Sequence, residues 1–212
     1  VLIFLGVMSV TPDKDEIREN QAESNGHRWG KQIFFMGIAI LGIGLFWMQK
    51  DHYKAYQQWN KAQMFYNNKA YEAALEVYEP LYPLLKHKPE FLFEAAQSLS
   101  KTGQYEKANE YLERAVLLSS DPMLYYVMAK NEQCLGEYRQ AEKHLLHAID
   151  ILPERIYPYY LLMNLYTEPS YFQPAKLKMA IDSVLTKKPK VESSAIKEMK
   201  EKARSMLNNT SI

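Results

Sequence analysis

The chain has 212 residues, of which 47% are hydrophobic and 24% are charged. Lys and Arg number 26 against 25 Asp and Glu, and the resulting net charge of +1 gives no general attraction for nucleic acid. The single cysteine, Cys134, excludes an internal disulfide and a zinc site made of cysteines alone. Glycines concentrate before residue 45, whereas all 16 tyrosines follow residue 50, so the chain has two physically different parts.

The first segment of the chain is apolar but short. Residues 1–10, VLIFLGVMSV, are too few to cross a bilayer as a helix. Because position 1 is Val and not Met, we expect residues 1–10 to be the end of a membrane helix that starts further upstream; the alternative is a disordered hydrophobic end. Residues 11–32 are rich in charged side chains, and we expect them to form a short solvated loop.

A longer apolar segment follows the polar one. Residues 33–48, IFFMGIAILGIGLFWM, carry no charge and would form roughly 24 Å of helix, against about 30 Å for a hydrocarbon core. Tryptophan and lysine flank it on both sides, at Trp29, Lys31, Trp47 and Lys50. Such residues extend a span to the interface, so we predict a transmembrane helix over 33–50. A signal peptide or a buried core helix is the alternative, and basic residues balance on the two sides, so charge does not set the orientation.

Beyond residue 50 the sequence repeats itself. The segments GQYEKA at 103–108 and GEYRQA at 136–141 share one frame. This frame has an aromatic column at Tyr71, Tyr105, Tyr138 and Phe172, and an alanine column at Ala74, Ala108, Ala141 and Ala175. Two further columns comprise Ala62, Ala96, Ala129 and Met163, and Tyr78, Leu112, Leu145 and Met179. The columns predict pairs of short helices that bury their apolar faces by stacking.

These columns resemble the tetratricopeptide repeat, whose period is about 34 residues and whose turn typically reads Gly-x-Tyr-x-x-Ala. The resemblance covers roughly residues 55–188 and implies an all-α fold, with a right-handed solenoid of about four helix pairs as the domain over 51–188. Glycine fits the left-handed backbone position that ends a first helix. The first unit departs by carrying Lys69 at that position, and the fourth by carrying Ser170 within an irregular EPSYFQP turn.

The C-terminal segment carries a further helical pattern. Between Val191 and Leu207 apolar residues recur every three or four positions, which predicts an amphipathic helix. We expect residues 189–212 to form a capping helix and tail that close the last unit. Because lysines are frequent here, contact with lipid headgroups or an acidic partner is the alternative.

Two columns of the repeat frame fall on the first helices, which line the concave face of stacked helix pairs. One column is aromatic in every unit and comprises Trp59, Phe93, Tyr126 and Tyr160. One turn later a polar column comprises Gln63, Gln97, Lys130 and Asn164. Because residues four apart share a helix face, we predict a groove for an extended peptide or a sugar chain. The alternative is that the aromatics are core between units, or that Trp59 lies at the membrane surface.

Signals of catalysis are absent from the sequence. It has no P-loop, no Gly-x-Ser-x-Gly and no His-Glu-x-x-His, so we predict no catalytic residue and no cofactor. His144 and His147 lie three apart on a helix but lack a third ligand at suitable spacing, so we expect no metal site. Cys134 has no activating neighbour in the sequence and is expected to be a structural thiol.

The order of the parts carries a second resemblance. An apolar end, a short loop, a last span and four repeats with a distinctive tail over 157–199 are similar to the C-terminal portion of O-antigen ligase/polymerase-like bacterial membrane proteins. The resemblance implies transfer or polymerisation of lipid-linked glycans at the inner membrane, with the repeats in the periplasm. The reacting residues of that family lie outside the matching portion, so none is assigned here. The partner would be a protein, a peptide or a lipid-linked glycan; the alternative is a stand-alone membrane-tethered adaptor.

Overall fold

A computed structural model of the protein describes residues 14–189 and 191–209. The helices are α1 (Lys14–Asn67), α2 (Tyr71–Leu85), α3 (Pro89–Lys101), α4 (Tyr105–Val116), α5 (Pro122–Leu135), α6 (Tyr138–Ile151), α7 (Tyr157–Leu165), α8 (Pro174–Thr186) and α9 (Ser194–Asn209). A short 3₁₀ turn, Pro169–Tyr171, precedes α8, and the described residues contain no strand. The all-α prediction is confirmed over this part of the chain, and the expectation for residues 1–10 lies outside it.

The polar segment before the apolar one is helical and not a loop. Helix α1 begins at Lys14, so the expectation of a solvated loop over 11–32 is wrong for residues 14–32. This segment is rich in Glu, Gln, Lys, Arg and Ala, which are strong helix formers, and it has no proline. Its two glycines, Gly26 and Gly30, cost only about 1 kcal/mol each.

The chain divides into two compact units, Val1–Tyr53 and Lys54–Ile212. In the first unit, the side chains described over 34–46 are all exposed, including Phe34 and Phe46. One helix of the described chain, α1, is long and apolar enough to cross a membrane by length and composition; its most apolar window has mean hydropathy 1.2 and is not buried. Length and composition alone make this segment a candidate, so the transmembrane helix remains a prediction.

The second unit is a stack of helix pairs. Tyr66 at the end of α1 meets Tyr71 at the start of α2 edge-on, with ring centroids 6.1 Å apart, and from α2 onward each helix packs against the next one along the chain. The first helices of successive pairs also contact one another, α3 with α5 and α5 with α7, and α7 in turn contacts α9. A row of first helices therefore forms one face of an α-solenoid, as the repeat pattern predicts.

Three of the four repeat columns are buried in the first three units, whereas the aromatic column at Tyr71, Tyr105 and Tyr138 is half-buried. Ala62, Ala96 and Ala129 are fully buried, as is Met163 in the fourth. The second-helix columns Ala74, Ala108, Ala141 and Tyr78, Leu112, Leu145 are also buried. The turns adopt the left-handed backbone that the frame requires, with φ of +81° at Gly103, +78° at Gly136 and +61° at Lys69. Lys69 thus occupies the glycine position at a steric cost.

The fourth unit departs from the predicted frame. Phe172 is 50% exposed, Met179 is 70% exposed and Ala175 is exposed, so these three residues do not continue the buried columns. Helix α8 begins at Pro174, 36 residues after α6, whereas α6 begins 33 residues after α4. The longer turn shifts the buried face, which is formed by Leu177, Ala180, Ile181 and Val184.

The last helix closes the array. Ala203 of α9 is fully buried, and Ile196, Met199 and Met206 pack against the core of the third and fourth units. Helix α9 contacts both α8 and α7. This packing agrees with the capping helix expected over 189–212. Helix α9 also contacts residues of the predicted groove.

Candidate functional site

The predicted groove residues lie on the four neighbouring first helices, α1, α3, α5 and α7. The aromatic column is not uniform in burial. Trp59, Phe93 and Tyr160 are half-buried, whereas Tyr126 is only 4% exposed. The four aromatic positions are therefore not equivalent. Three rings are partly exposed to solvent, and Tyr126 is part of the core.

A carboxylate that the column analysis missed organises the first two units. Glu94 accepts hydrogen bonds from Trp59 Nε1 at 2.7 Å and from Gln63 Nε2 at 2.8 Å. The buried hydroxyl of Tyr78 also donates to Glu94, at 3.1 Å. Both carboxylate oxygens are therefore used within the array, and we call these four residues the Glu94 hub. Sequence repeats could not reveal Glu94, because its column holds no other acid.

The indole of Trp59 is fixed by packing as well as by its hydrogen bond. Its ring meets Phe91 edge-on, with centroids 5.7 Å apart, and Phe91 is fully buried. The ring of Tyr78 also meets that of Phe91 edge-on, with centroids 5.5 Å apart. Burial, and then the charge of Glu94, raise the pKa of Tyr78, so its hydroxyl remains a donor. Trp59 thus serves repeat packing in this structure.

The second polar position is also engaged. The hydroxyl of Tyr66 donates to Gln97 Oε1, which links the first and second units across the face of the row. Burial, and then the charge of Glu94, raise the pKa of Tyr66. Gln63 and Gln97 are therefore each hydrogen-bonded to another residue of the array through one atom of the side-chain amide.

At the third unit the arrangement differs. The ring of Tyr126 meets that of Tyr157 edge-on at 5.2 Å, and Lys130 Nζ lies 5.5 Å from the same Tyr157 ring. The buried Tyr126 hydroxyl has no hydrogen-bond partner among the described residues, and neither has Gln133 Nε2. Lys130 is exposed. Tyr126, Lys130 and Gln133 are called the α5 stripe below.

The fourth position is occupied from within the molecule. Lys202 of α9 donates to Asn164 Oδ1 at 2.8 Å, and its Nζ lies 5.4 Å from the centroid of the Tyr160 ring. The predicted pair Tyr160 and Asn164 is thus covered by the capping helix. Sequence reasoning missed this contact because α9 lies outside the repeat frame.

Two cavities border this row of helices. One, of about 220 Å³, lies between the N-terminal ends of α3 and α5 and is lined by Phe93 and Leu124 with the carboxylates of Glu90, Glu94 and Asp121. The other, of about 640 Å³, lies between the α6–α7 connection and α9 and is mainly apolar. Arg155 and Tyr157 line the second cavity, so it adjoins the α5 stripe.

The residues considered for metal binding or catalysis are engaged elsewhere. His144 Nδ1 lies 2.8 and 2.9 Å from the two oxygens of the buried Glu132 carboxylate. His147 packs edge-on against Tyr125, with centroids 4.7 Å apart, so the two histidines face different partners. Among the described residues no group of three or more His, Cys, Asp or Glu is placed to hold a metal. Cys134 is exposed.

Comparison with known proteins agrees with this architecture. The family model for the anaphase-promoting complex (cyclosome) subunit 3 matches residues 67–148, which is less than half of the chain. No curated protein sequence matches the chain.

Solved structures share the fold at low sequence identity. A crystal structure of MamA superposes with a TM-score of 0.58 at 17% identity, covering 73% of this chain and 88% of MamA. MamA from Desulfovibrio magneticus RS-1 gives 0.57 at 19% identity, covering 75% and 98%. An O-GlcNAc transferase mutant from Thermobaculum terrenum gives 0.54 at 16% identity; the match covers 64% of this chain but only 26% of the transferase. The second unit therefore shares the helical-repeat fold of these structures.

Proposed function

We propose that this protein is a membrane-anchored interaction module whose repeat array binds an extended peptide segment of a partner protein. The observation that carries this proposal is the row of first helices, which presents half-buried aromatic rings beside polar side chains. Aromatic rings provide rigid contact area and polar groups provide directional hydrogen bonds, as in many protein interfaces. The half-buried ring of Phe93 and the exposed Lys130, on neighbouring first helices, mark where such a segment would bind.

The test of peptide binding uses the full chain in detergent micelles and pools of randomised eight-residue peptides. We expect Phe93→Leu, which removes a groove ring but keeps apolar volume, to reduce capture of the pools several-fold. Phe172→Leu is the matched control, because Phe172 lies in the exposed turn before α8. Capture that is equal for both variants, with thermal melting showing both folded, would contradict the groove.

The anchoring part of the proposal is supported by the exposed apolar side chains over 34–46. Two lysines near the middle of this segment, Ile40→Lys with Ile43→Lys, would each cost roughly 3 kcal/mol in a bilayer. We expect this variant to leave the membrane fraction on carbonate extraction. Leu117→Lys with Leu118→Lys is the control, since both leucines are exposed in the repeat array. Equal extraction of the two variants would argue against an anchor.

A finer proposal places the protein in cell-envelope glycan assembly, as the non-catalytic end of an O-antigen ligase/polymerase-like protein at a bacterial inner membrane. Its support is the order of segments and the tail over 157–199, and a lipid-linked glycan would then be a second class of ligand. Further apolar spans in the coding frame upstream of Val1 would support it, and a start codon close by would favour a stand-alone adaptor.

The side of the membrane on which the repeats lie is open to a direct test. Cys134 is exposed and is the single cysteine of the chain, so it reports accessibility without other labelling sites. For a periplasmic array, a maleimide that crosses the outer but not the inner membrane should label Cys134 in intact cells. Labelling only after lysis would place the repeats in the cytoplasm.

A further inference from the structure

The connections between successive helix pairs lie on one edge of the repeat array. Trp59 of α1 hydrogen-bonds to Glu94 of α3, and two turns further on Tyr66 hydrogen-bonds to Gln97, so these two helices run in the same direction. Each short connection reverses the chain, and the later first helices therefore share this direction. The connections that precede them meet on one side, which we call the connection edge: residues 86–88, 117–121, 152–156, 187–189 and 191–193.

Neighbouring connections adjoin one another along this edge. Arg114 Nε, at the end of α4, donates to the Lys86 carbonyl oxygen at 2.9 Å. The cavity of about 220 Å³ joins the start of α3 to Ser119, and the cavity of about 640 Å³ joins Leu152 to Pro189. Because α5 also contacts α7, the connections form one surface and not four separate loops.

Large apolar side chains are exposed on the connection edge. Leu117 is 83% exposed and Val191 is 75% exposed, and Leu118 and Leu152 are exposed as well. Exposed apolar groups that recur on one side of a protein indicate a surface that contacts a partner or a membrane. The edge therefore has apolar groups that the described chain does not cover.

The charge of the edge is mainly positive. Its described lysines and arginine are Lys86, Lys88, Arg155, Lys187 and Lys188, and its acids are Asp121, Glu154 and Glu192. None of these five cations forms an ion pair within the described part of the chain. Asp121 is already engaged, because its Oδ1 accepts a hydrogen bond from the Met123 amide at 2.9 Å and so caps α5. The unpaired cations favour an anionic partner.

The opposite edge differs in both respects. It holds the turns within the pairs, all of which the structure describes: 68–70, 102–104, 136–137 and 166–173. In these turns Lys69 is the one basic residue, against Glu137 and Glu168, and Phe172 is the one exposed large hydrophobic side chain. The combination of exposed leucines and unpaired cations is thus confined to the connection edge.

The chain also enters the array at the connection edge. The second unit starts at Lys54, and the ring of Tyr56 lies below Lys88, with Nζ 6.0 Å from its centroid. The apolar segment over 34–46, proposed above as the membrane anchor, ends shortly before Lys54 in the sequence. Chain connectivity therefore tethers the array to the anchor through this edge, whatever the angle between the two units.

We propose that the connection edge docks on the anionic surface of the bilayer that holds the anchor. Its lysines and Arg155 pair with lipid phosphate groups, and Leu117 and Leu118 enter the headgroup region. Cations near an anionic membrane surface and apolar side chains buried at its boundary both add to such binding. This inference rests on the proposed membrane anchor and adds that the array is held against the bilayer instead of moving freely on its tether.

The experiment reconstitutes the full chain in vesicles of phosphatidylcholine, alone or with one third phosphatidylglycerol. A nitrobenzoxadiazole label on Leu118→Cys, in a chain that also carries Cys134→Ser, reports contact with the bilayer through quenching by spin-labelled lipid. Phe172→Cys is the matched position, because Phe172 is an exposed apolar residue of the opposite edge. In anionic vesicles we expect quenching at Leu118→Cys to exceed that at Phe172→Cys about threefold, and in neutral vesicles the difference should shrink. Both leaflets have the same lipids, so the direction of insertion does not affect the result.

Charge variants assign the docking to the lysines of the edge. Lys86→Gln with Lys188→Gln removes two exposed cations and should weaken docking about fivefold per lysine, so that quenching at Leu118→Cys falls towards that at Phe172→Cys. Lys101→Gln with Lys143→Gln is the control. It changes the net charge equally, but Lys101 is exposed at the end of α3 towards the opposite edge and Lys143 is exposed on α6. This control should leave the quenching unchanged.

The outcomes separate docking of the edge from the anchor itself. Flotation with neutral vesicles that survives carbonate tests the anchor alone, because carbonate removes peripheral contacts. A chain that floats in this way but is quenched equally at Leu118→Cys and Phe172→Cys would overturn the docking edge while the anchor stands. A chain that floats with neither kind of vesicle would overturn both. Quenching that Lys86→Gln with Lys188→Gln leaves unchanged would overturn lipid phosphate as the partner of these lysines.

Discussion

At the first two units, Trp59, Gln63 and Tyr78 all donate to the carboxylate of Glu94, so the buried donors are satisfied within the chain. At the third unit, Tyr126 and Gln133 present buried donors for which the described chain offers no acceptor. Trp59, Gln63 and Glu94 lie on the same row of first helices as Tyr126 and Gln133, whereas Tyr78 lies on α2. The difference is a single carboxylate, and it separates a region whose donors are satisfied within the array from one in which two buried donors have no described acceptor.

The largest expected effect concerns the acceptor of the hub. Glu94→Ala would leave three donors unpaired, so we expect it to lower the free energy of unfolding by about 3 kcal/mol. Chemical denaturation of the full chain in detergent micelles, followed by tryptophan fluorescence, measures this change. Glu90→Ala is the control, because Glu90 is exposed on the same helix, and it should cost only about 0.5 kcal/mol. Equal losses of unfolding free energy for Glu94→Ala and Glu90→Ala would show that the Glu94 hub does not stabilise the array.

A matched pair of tyrosines sharpens the contrast. Tyr78→Phe removes a hydroxyl that donates to Glu94 and should cost about 1 kcal/mol. Tyr126→Phe removes a buried hydroxyl without a described partner and should leave stability unchanged or raise it by up to about 1 kcal/mol. Thermal melting of both variants measures the two changes in stability. If Tyr126→Phe were as destabilising as Tyr78→Phe, the Tyr126 hydroxyl would have a partner and the comparison would fail.

The regular part of the fold could be predicted because two of the turns and the close helix contacts use the same residue type in successive units. Glycine at 103 and 136 adopts the positive φ that ends a first helix, and alanine at 96 and 129 is fully buried. The fourth unit could not be predicted from the same columns. Phe172 happens to continue the aromatic spacing, but it lies in a longer turn, and α8 buries a face set by its own start at Pro174.

The site was less predictable than the fold. Column reasoning found residues of one row of helices, because a repeat places equivalent residues on equivalent faces. It could not find Glu94, which has no acidic equivalent in other units, or Lys202, which approaches Asn164 from a helix outside the repeat. It also could not predict which aromatic residues of the column are buried, since the burial of Tyr126 depends on Tyr157 of the next unit. Hydrogen-bond partners between units depend on packing that single columns do not encode.

The amide side chains give a smaller test of the same contrast. Gln63→Leu deletes a donor to Glu94 and should cost about 1 kcal/mol, whereas Gln133→Leu deletes an amide nitrogen that the described chain does not use. We expect Gln133→Leu to change stability by less than about 0.5 kcal/mol. Chemical denaturation of both variants checks this, and a larger loss for Gln133→Leu would reverse the assignment of the two regions.

The smallest effect is one in which the two regions should agree. Burial raises the pKa of both Tyr78 and Tyr126 above the value of about 10 that tyrosine has in an unfolded chain. Above pH 10 the unfolded state loses these protons first, so the free energy of unfolding falls as pH rises towards the folded-state pKa. Tyr78→Phe and Tyr126→Phe should each make this alkaline decline shallower, measured by denaturation between pH 9 and about 11. A decline unchanged by Tyr126→Phe would mean that its hydroxyl is hydrated, and the contrast between the Glu94 hub and the α5 stripe would then be lost.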